Sequence, residues 1–241
     1  MSTDDQLPQL LYHPQVEALA SSWREALSAG RGDELWAQWP MTQAQERVEP
    51  LSAPLEWAAL CEPGGGKTLG LLIGRDSQGG ERLLRAFSGQ LQGAWLREGW
   101  APPLFEPSAI ARASWETQTQ LHLINRHLSE GRGDPQELKR ARKRLSQALT
   151  QQLLEAYTLQ RLRAGALERC SLAELWPSAP LGTGDCCAPK LLCWAASLGL
   201  QVIGLTELWW GPPQAGRSLG QTMAPCQERC GPLLPWLLGD K

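Results

Sequence analysis

The chain has 241 residues, a length that suits one large domain or a domain with an inserted hairpin. Its net charge of −2 excludes a global basic field that would attract nucleic acid or anionic membrane, so any such contact needs a local patch. The acidic start, Met1 to Asp5, has no apolar core typical of a signal peptide, and polar residues interrupt the longest apolar stretch, residues 191–208. We therefore expect a cytoplasmic protein without a membrane span.

The first third of the chain predicts one helix and then a small sheet. Apolar residues at helical spacing predict a helix from His13 to Ala29, followed by a proline-containing extended lead up to residue 54. Residues 55–61, 69–73 and 82–87 are apolar runs separated by glycine-rich turns, which predicts a three-stranded antiparallel meander.

The segment Gly64-Gly65-Gly66-Lys67-Thr68 invites comparison with a phosphate-binding loop. Such a loop needs a glycine at the position held by Cys61, and it leads into a helix. Here a strand is predicted to follow. We therefore interpret the segment as a hairpin turn.

Two helices, predicted at residues 115–128 and 135–164, would form a helical hairpin. The second helix begins with a capping pattern, Asp134-Pro135-Gln136-Glu137. Over residues 135–170 there are eight Lys or Arg and three Glu, which is either a track for a phosphate backbone or a solvated helix face. The candidate RNA-binding residues of this run are Lys139, Arg140, Arg142, Lys143 and Arg144.

The last third predicts a compact α/β segment. A capping box at Ser171 opens a short helix, and a glycine turn leads into a helix predicted from Ala188 to Leu198. A buried strand follows at residues 200–208, and Pro225 is predicted to open a last helix. The pair Trp209-Trp210 at the strand end either stacks on a base or fills the core.

The seven cysteines are an odd number in a chain that we expect in a reducing compartment, so no disulfide framework is predicted. Cys186 lies at the start of a predicted helix, and Cys226 and Cys230 lie at the start of another. Helix amino termini stabilise thiolates, and three thiolates form a zinc site with an open fourth position. Cys187 competes for the role of Cys186, and buried cysteines without metal are the alternative interpretation.

These segments resemble the zinc core of the cytidine-deaminase-like fold: a helix opened by Cys186-Cys187-Ala188-Pro189, a strand, and then Pro225-Cys226 with Cys230. The meander would supply the hairpin of that fold. In that family the residue two positions after the first ligand is the glutamate that acts as general acid and base. Ala188 holds this position here, and the nearby acids are Asp185 and Glu207. The resemblance therefore implies the fold and the zinc ligands without the usual proton shuttle.

A second resemblance covers residues 55–238. The segments that carry it are Gly66-Lys67-Thr68-Leu69-Gly70-Leu71-Leu72, Ala86-Phe87-Ser88-Gly89, the basic helix, Gly184-Asp185-Cys186, Ala188-Pro189-Lys190-Leu191-Leu192, Leu208-Trp209-Trp210-Gly211, and Pro225-Cys226 with Cys230. In this order they resemble the long amino-terminal region of large RluA-type pseudouridine synthases. This resemblance favours Cys186 over Cys187 as a ligand, because relatives carry Ala at the next position.

The chain also departs from that family. It contains no His-Arg-Leu-Asp segment, the motif that carries the catalytic aspartate. Residues 220–223, Gly-Gln-Thr-Met, stand where the family has a His and a Tyr. We therefore do not expect this chain alone to synthesise pseudouridine, and whether it is an enzyme stays open.

We expect a cytidine-deaminase-like three-layer α/β domain with an inserted helical hairpin. The predicted segments are an amino-terminal helix and lead at 1–54, a meander half at 55–110, the basic hairpin at 111–170 and a zinc core at 171–241. The leading hypothesis is a zinc-binding, RNA-associated accessory module, whose partners would be ribosomal or transfer RNA and a separate synthase subunit. The alternatives are a zinc-dependent base or nucleotide deaminase that uses Asp185 or Glu207, and a domain that binds another protein through its hairpin.

Overall fold

The computed structural model describes residues 10, 13–32 and 55–239. This part of the chain is mixed α/β, with 42% helix and 21% strand. It divides into two compact units, one within Met1–Pro103, Leu159–Arg169 and Gly182–Lys241, the other within Leu104–Thr158 and Cys170–Leu181. The acidic start and the predicted extended lead lie outside the described residues.

The described part of the chain contains both helices and strands, several of them in consecutive pairs of one type. In order they are α1 (Pro14–Ser28), a 3₁₀ helix (Trp57–Cys61), β1 (Lys67–Arg75), β2 (Glu81–Phe87), α2 (Pro107–Ser129), α3 (Pro135–Ala156), β3 (Thr158–Arg163), β4 (Ala166–Ser171), α4 (Leu172–Leu175), α5 (Cys187–Ser197), β5 (Gln201–Trp210), β6 (Thr222–Met223), a second 3₁₀ helix (Gly231–Leu233) and α6 (Leu234–Leu237).

The first unit is built on a four-stranded sheet in the order β2-β1-β5-β6. All of its neighbouring strands are antiparallel, and β1 has a partner on each side. In the register of β1 with β5, Leu69 lies opposite Leu208 and Gly70 lies opposite Glu207. Because side chains alternate along a strand, these two pairs point to opposite faces of the sheet.

One face of the sheet packs against α1. Buried residues of the helix, among them Val16 and Trp23, join Leu69 and Leu71 of β1 in one apolar core. Trp23 and Trp100 contribute to a tryptophan cluster in this core, with ring centroids 6.2 Å apart. The Trp23 indole N–H donates to the carbonyl of Gly32, which satisfies its polar group.

The other face packs against α5, and a glycine allows the close approach. A Cβ built on Gly70 would lie 2.4 Å from the Cβ of Cys187, closer than real side chains approach. Residues Cys187 to Ala196 of α5 are all buried, and all of them except Lys190 are apolar. Helices α1 and α5 therefore cover opposite faces of one sheet in this unit.

The second unit contains the helical hairpin α2–α3. Glu106 caps α2 by accepting from the Ser108 N–H, and Asp134 caps α3 by accepting from the Gln136 N–H. Leu154 is the buried residue of α3, and the other apolar residues of its seam are half-buried or exposed. At the base of the hairpin the rings of Phe105 and Tyr157 pack with centroids 4.8 Å apart.

Several predicted elements differ from the structure. Residues 55–61 contain a 3₁₀ helix instead of a strand, because Trp57 and Leu60, three residues apart, are both buried. Helix α2 begins at Pro107, eight residues before its predicted start, where Glu106 supplies the cap. The glycine-rich segment that precedes β1 is therefore a turn between a 3₁₀ helix and a strand, and not a hairpin turn.

The second hairpin helix is shorter than predicted. It ends at Ala156, and residues up to 163 form β3. Tyr157 adopts an extended conformation, and Leu159 and Arg161 are buried at a spacing of two. This alternation is the pattern of a strand, which overrides the helical stripe of apolar residues that precedes it.

Candidate metal centre

Cys186 is positioned by the start of α5. It is the N-cap residue of the helix, with φ −71° and ψ 165°, and its thiol does not cap the backbone. Gly70 lets the helix lie close to β1, so that the following residue, Cys187, is completely buried. The Cys187 thiol donates to the carbonyl of Thr68 at 3.3 Å. Cys187 is therefore engaged with the sheet, and the thiol of Cys186 is left for other partners.

Cys226 and Cys230 come from a tight loop after β6. The predicted helix at Pro225 is not formed, and residues 227–230 are a turn. The Gly231 N–H donates to the Cys226 carbonyl at 2.8 Å, and the Cys230 N–H donates to the Cys226 sulfur at 3.3 Å. These two bonds replace helical bonds and hold both cysteines in one loop.

The three predicted cysteine ligands converge. The Sγ atoms of Cys186 and Cys226 are 3.6 Å apart, and all three sulfur atoms lie within 4.8 Å of one another. Cys230 is buried, Cys186 is half-buried and Cys226 is exposed, so the cluster reaches the protein surface. Tetrahedral zinc with Zn–S bonds of about 2.3 Å requires sulfur separations of about 3.8 Å. The spacing therefore fits a zinc ion held by three thiolates.

The electrostatics of the cluster favour a cation. Hydrogen bonds from the thiols of Cys186 and Cys230 lower the pKa of Cys226, so that a thiolate forms there first. The hydrogen bond to Cys226 raises the pKa of Cys186, and burial adds to this effect. Without a cation the three thiols cannot all ionise, because each new thiolate would lie beside another negative charge. A divalent metal removes this obstacle.

A buried carboxyl group lies beside the cluster. Glu207 points from β5 toward α5, and its Oε1 accepts from the Ala188 N–H at 2.8 Å. Only 3% of the residue is exposed. Burial raises the pKa of Glu207 to about 7, against the lowering effect of the Ala188 hydrogen bond. Asp185, the other acid considered from the sequence, has a backbone carbonyl that accepts from the Gly89 N–H.

Lys190 is a buried charged residue near the cluster that was not singled out from the sequence. It sits one turn into α5, 1% exposed, and donates its ammonium hydrogens to the carbonyls of Phe87 and Gly89 at 2.9 and 3.2 Å. Burial lowers its pKa. These bonds fasten the end of β2 to the helix that carries Cys186. A lysine within an apolar helix is the signal that could have indicated this role.

The candidate RNA-binding residues fall into two groups. The basic residues of α3 are all exposed, namely Lys139, Arg140, Arg142, Lys143 and Arg144. They lie in the second unit, whereas the cysteines lie in the first.

The two tryptophans proposed to stack on a base are buried. Trp209 is 4% exposed and Trp210 is 3% exposed. Arg217 lies over the Trp209 ring at 4.0 Å, and Trp210 belongs to the core beneath α1. Both rings are therefore packed within the protein, which favours the packing interpretation of this pair over the stacking one.

Comparison with known protein families, with curated proteins and with solved structures finds no match for this chain. The function is therefore inferred from the chain's own residues and their geometry. Among residues 10, 13–32 and 55–239, no helix is both long enough and apolar enough to cross a bilayer.

Proposed function

We propose that this protein is a zinc-binding module that associates with RNA. The observation that carries the zinc part is the convergence of three sulfur atoms from two segments that are 40 residues apart in sequence. One cysteine comes from a helix cap and two from a hydrogen-bonded loop, an arrangement that suits three thiolates around one ion. Cys226 is exposed, so a fourth ligand would approach the cluster from solvent.

Metal content tests the zinc site. The protein purified without added zinc is expected to contain about one zinc per chain. Cys186→Ser, Cys226→Ser and Cys230→Ser should each lose it, while Cys187→Ser and Cys61→Ser should retain it, because neither thiol belongs to the cluster. A parent protein without metal, or a Cys61→Ser variant as poor in zinc as the cluster variants, would refute the site.

The RNA part is supported by the exposed basic residues of α3. The pockets on the two sides of the hairpin are lined by different basic residues, Lys139 and Arg142 on one and Arg140 and Arg144 on the other. Such side chains can neutralise phosphates without reading a sequence. The resemblance to the amino-terminal region of RluA-type synthases agrees with this role, in which a separate synthase subunit would supply the catalysis.

Charge reversal tests RNA binding. RNA affinity should fall steeply with salt, and the triple change of Arg140, Arg142 and Arg144 to Glu should abolish it. Charge reversal of Arg112 and Arg126, on the neighbouring helix α2, serves as the control. It should lower the RNA affinity much less per charge. Binding by the triple variant that equals the parent's would remove this part of the proposal. If the parent binds no RNA, and the triple variant loses a protein partner that the parent retains in pull-downs, the interaction-domain alternative is favoured.

A hydrolytic deaminase is the second candidate, and Glu207 favours it. The deaminase resemblance lacks its glutamate at Ala188, yet the carboxyl group of Glu207 is bonded to the backbone N–H of that same residue. When bound, zinc would supply a Lewis acid and an activated water at the open position. Glu207 would hold or pass a proton beside it.

Ammonia release tests this alternative. The zinc-loaded protein would be assayed with cytosine and adenine nucleosides, nucleotides and RNA. Activity that disappears in Glu207→Gln but persists in Asp185→Asn would support the role of Glu207. No release from any member of the panel, with one zinc per chain bound, would exclude the deaminase.

A further inference from the structure

A cleft opens at the start of β1, in the unit that contains the cysteines. It lies between the glycine turn that precedes β1 and the loop that follows β2. The residues that matter here are Gly64 to Gly66, Lys67, Gln90, Gln92 and Trp95.

The cleft measures about 590 Å³, within the range of about 300 to 1,000 Å³ that is usual for small-molecule sites. A ligand the size of a mononucleotide would therefore fit in it.

Lys67 is the charged group of the cleft. Its side chain is half-buried, and it makes no hydrogen bond or ion pair with any residue in the part of the chain that the structure describes. Burial lowers the pKa of Lys67, and the nearby Cys187 only partly opposes this. A half-buried ammonium group without a carboxylate partner is costly, and a bound anion would offset that cost.

The two glutamines in the loop after β2 differ in how firmly their side chains are held. Gln92 is held at both ends of its amide: it donates to the Glu56 carbonyl at 3.1 Å and accepts from Arg97 at 3.1 Å. The exposed side chain of Gln90 has no such partner among the described residues and is free to bind a ligand. A Cβ built on Gly64 would meet nothing within 4 Å, so the turn leaves its side of the cleft open.

An aromatic ring completes the cleft. Trp95 is half-buried, and the ammonium group of Lys190 lies 5.9 Å from its ring centroid. The cleft thus combines positive charge, a free amide and an indole ring. This combination is suited to a ligand that carries both a negative charge and a planar ring.

We propose that this cleft binds a nucleotide, with Lys67 contacting the phosphate, Gln90 donating a hydrogen bond and Trp95 packing against the base. The site is not a phosphate-binding loop of the nucleotide-hydrolase type, because a strand and not a helix follows the glycines. It depends on neither the zinc nor the basic hairpin. The nucleotide is either free or part of an RNA chain, and the two sources share the same chemistry.

Calorimetry with three probes tests the proposal: inorganic phosphate, uridine monophosphate and a short single-stranded RNA. Lys67→Met should weaken binding of the nucleotide roughly tenfold or more, since it removes a charged hydrogen-bond donor. Gln90→Ala should weaken it less. Lys143→Met, which removes an exposed lysine from the hairpin, is the matched control and should bind as the parent does.

Each outcome decides the proposal. Binding of the mononucleotide that depends on Lys67 supports a site for free nucleotides, and Lys67-dependent binding of the RNA alone supports a site for nucleotides within a chain. If Lys67→Met melts at a lower temperature than the parent, its loss of binding could reflect a loss of structure. The nucleotide affinity of Gln90→Ala, whose side chain is exposed, then tests the cleft instead. The proposal is overturned if the parent binds none of the probes, or if both variants bind as tightly as the parent. The variant in which Arg140, Arg142 and Arg144 are changed to Glu separates this result from the RNA proposal, because it should leave mononucleotide binding unchanged.

Discussion

The carboxyl group of Glu207 is buried between β5 and the first turn of α5, where it accepts from the Ala188 N–H. Burial raises its pKa to about 7, while in the unfolded chain its pKa is about 4.3. The folded state therefore binds this proton more tightly than the unfolded state. The contribution of Glu207 to stability is fully present below the unfolded pKa and is lost as the pH rises through 7.

Glu207→Gln should remove this pH dependence, because glutamine does not titrate and its amide oxygen can still accept from Ala188. Relative to the variant, the parent should lose on the order of 3 kcal/mol in free energy of unfolding between about pH 4 and pH 8. Urea unfolding at a series of pH values, with chelator present, measures the difference. Glu174→Gln, an exposed capping residue, is the control. Parallel profiles for parent and Glu207→Gln would contradict the prediction.

Gly70 determines how closely α5 can approach the sheet. In Gly70→Ala the new Cβ would lie 2.4 Å from the Cβ of Cys187, so the start of α5 must move. We expect a loss of about 1 to 3 kcal/mol in free energy of unfolding and weaker zinc binding, because Cys186 would shift away from Cys226. Thermal unfolding and metal content measure the two effects.

Gly231→Ala is the control for this change. The added Cβ would come no closer than 3.4 Å to its neighbours, although the residue adjoins Cys230. It should therefore retain zinc. Equal zinc content in Gly70→Ala and the parent would show that the helix position does not control the cluster.

The elements predicted correctly from the sequence are those with a regular apolar period and a clear boundary. Helix α1, strands β1, β2 and β5, and helix α5 agree with their predicted ranges to within about three residues. The capping box of Ser171 and Glu174 is confirmed as well. In each case the local pattern and the tertiary packing favour the same structure.

The elements that failed depend on contacts that a local pattern does not contain. The helix predicted to run to residue 164 ends at Ala156 because the side chains of β3 are buried alternately. The loop at Cys226 replaces a helix because the cysteine sulfur accepts a backbone hydrogen bond. The cysteine cluster, in contrast, was predicted from the spacing of its residues. The cleft at Lys67 was not predicted, because it combines two separate loops.

The hairpin α2–α3 should be less stable than the sheet. Apart from Leu154, the described side chains of α3 are half-buried or exposed, whereas seven consecutive residues of β1, from Thr68 to Gly74, are buried. Local opening is governed by such differences in burial. Backbone amides between residues 117 and 150 should therefore exchange with deuterium faster than those of β1 and β5. Equal protection of hairpin and sheet, measured by mass spectrometry, would contradict this expectation.

At the scale of the whole molecule, zinc should add to stability, because it would bind the folded cluster and not the separated cysteines of an unfolded chain. With free zinc at one hundred times its dissociation constant the gain is about 2.7 kcal/mol. A chelator should lower the melting temperature of the parent and leave that of Cys186→Ser unchanged. It should also make the exposed thiol of Cys226 available to alkylation. An unchanged melting temperature in the parent would argue against a metal that holds the fold.

In the sequence, Cys186 precedes and Cys226 follows an exposed turn, residues 213–216. A metal bound by Cys186 and Cys226 would act there as a reversible cross-link across 40 residues of chain. A protease site inserted at this turn would thus produce two fragments that the metal keeps joined. Without the metal the shorter fragment would be held by packing alone, so that withdrawal of the metal would favour its release and the cut protein would report metal loss as a change in mass.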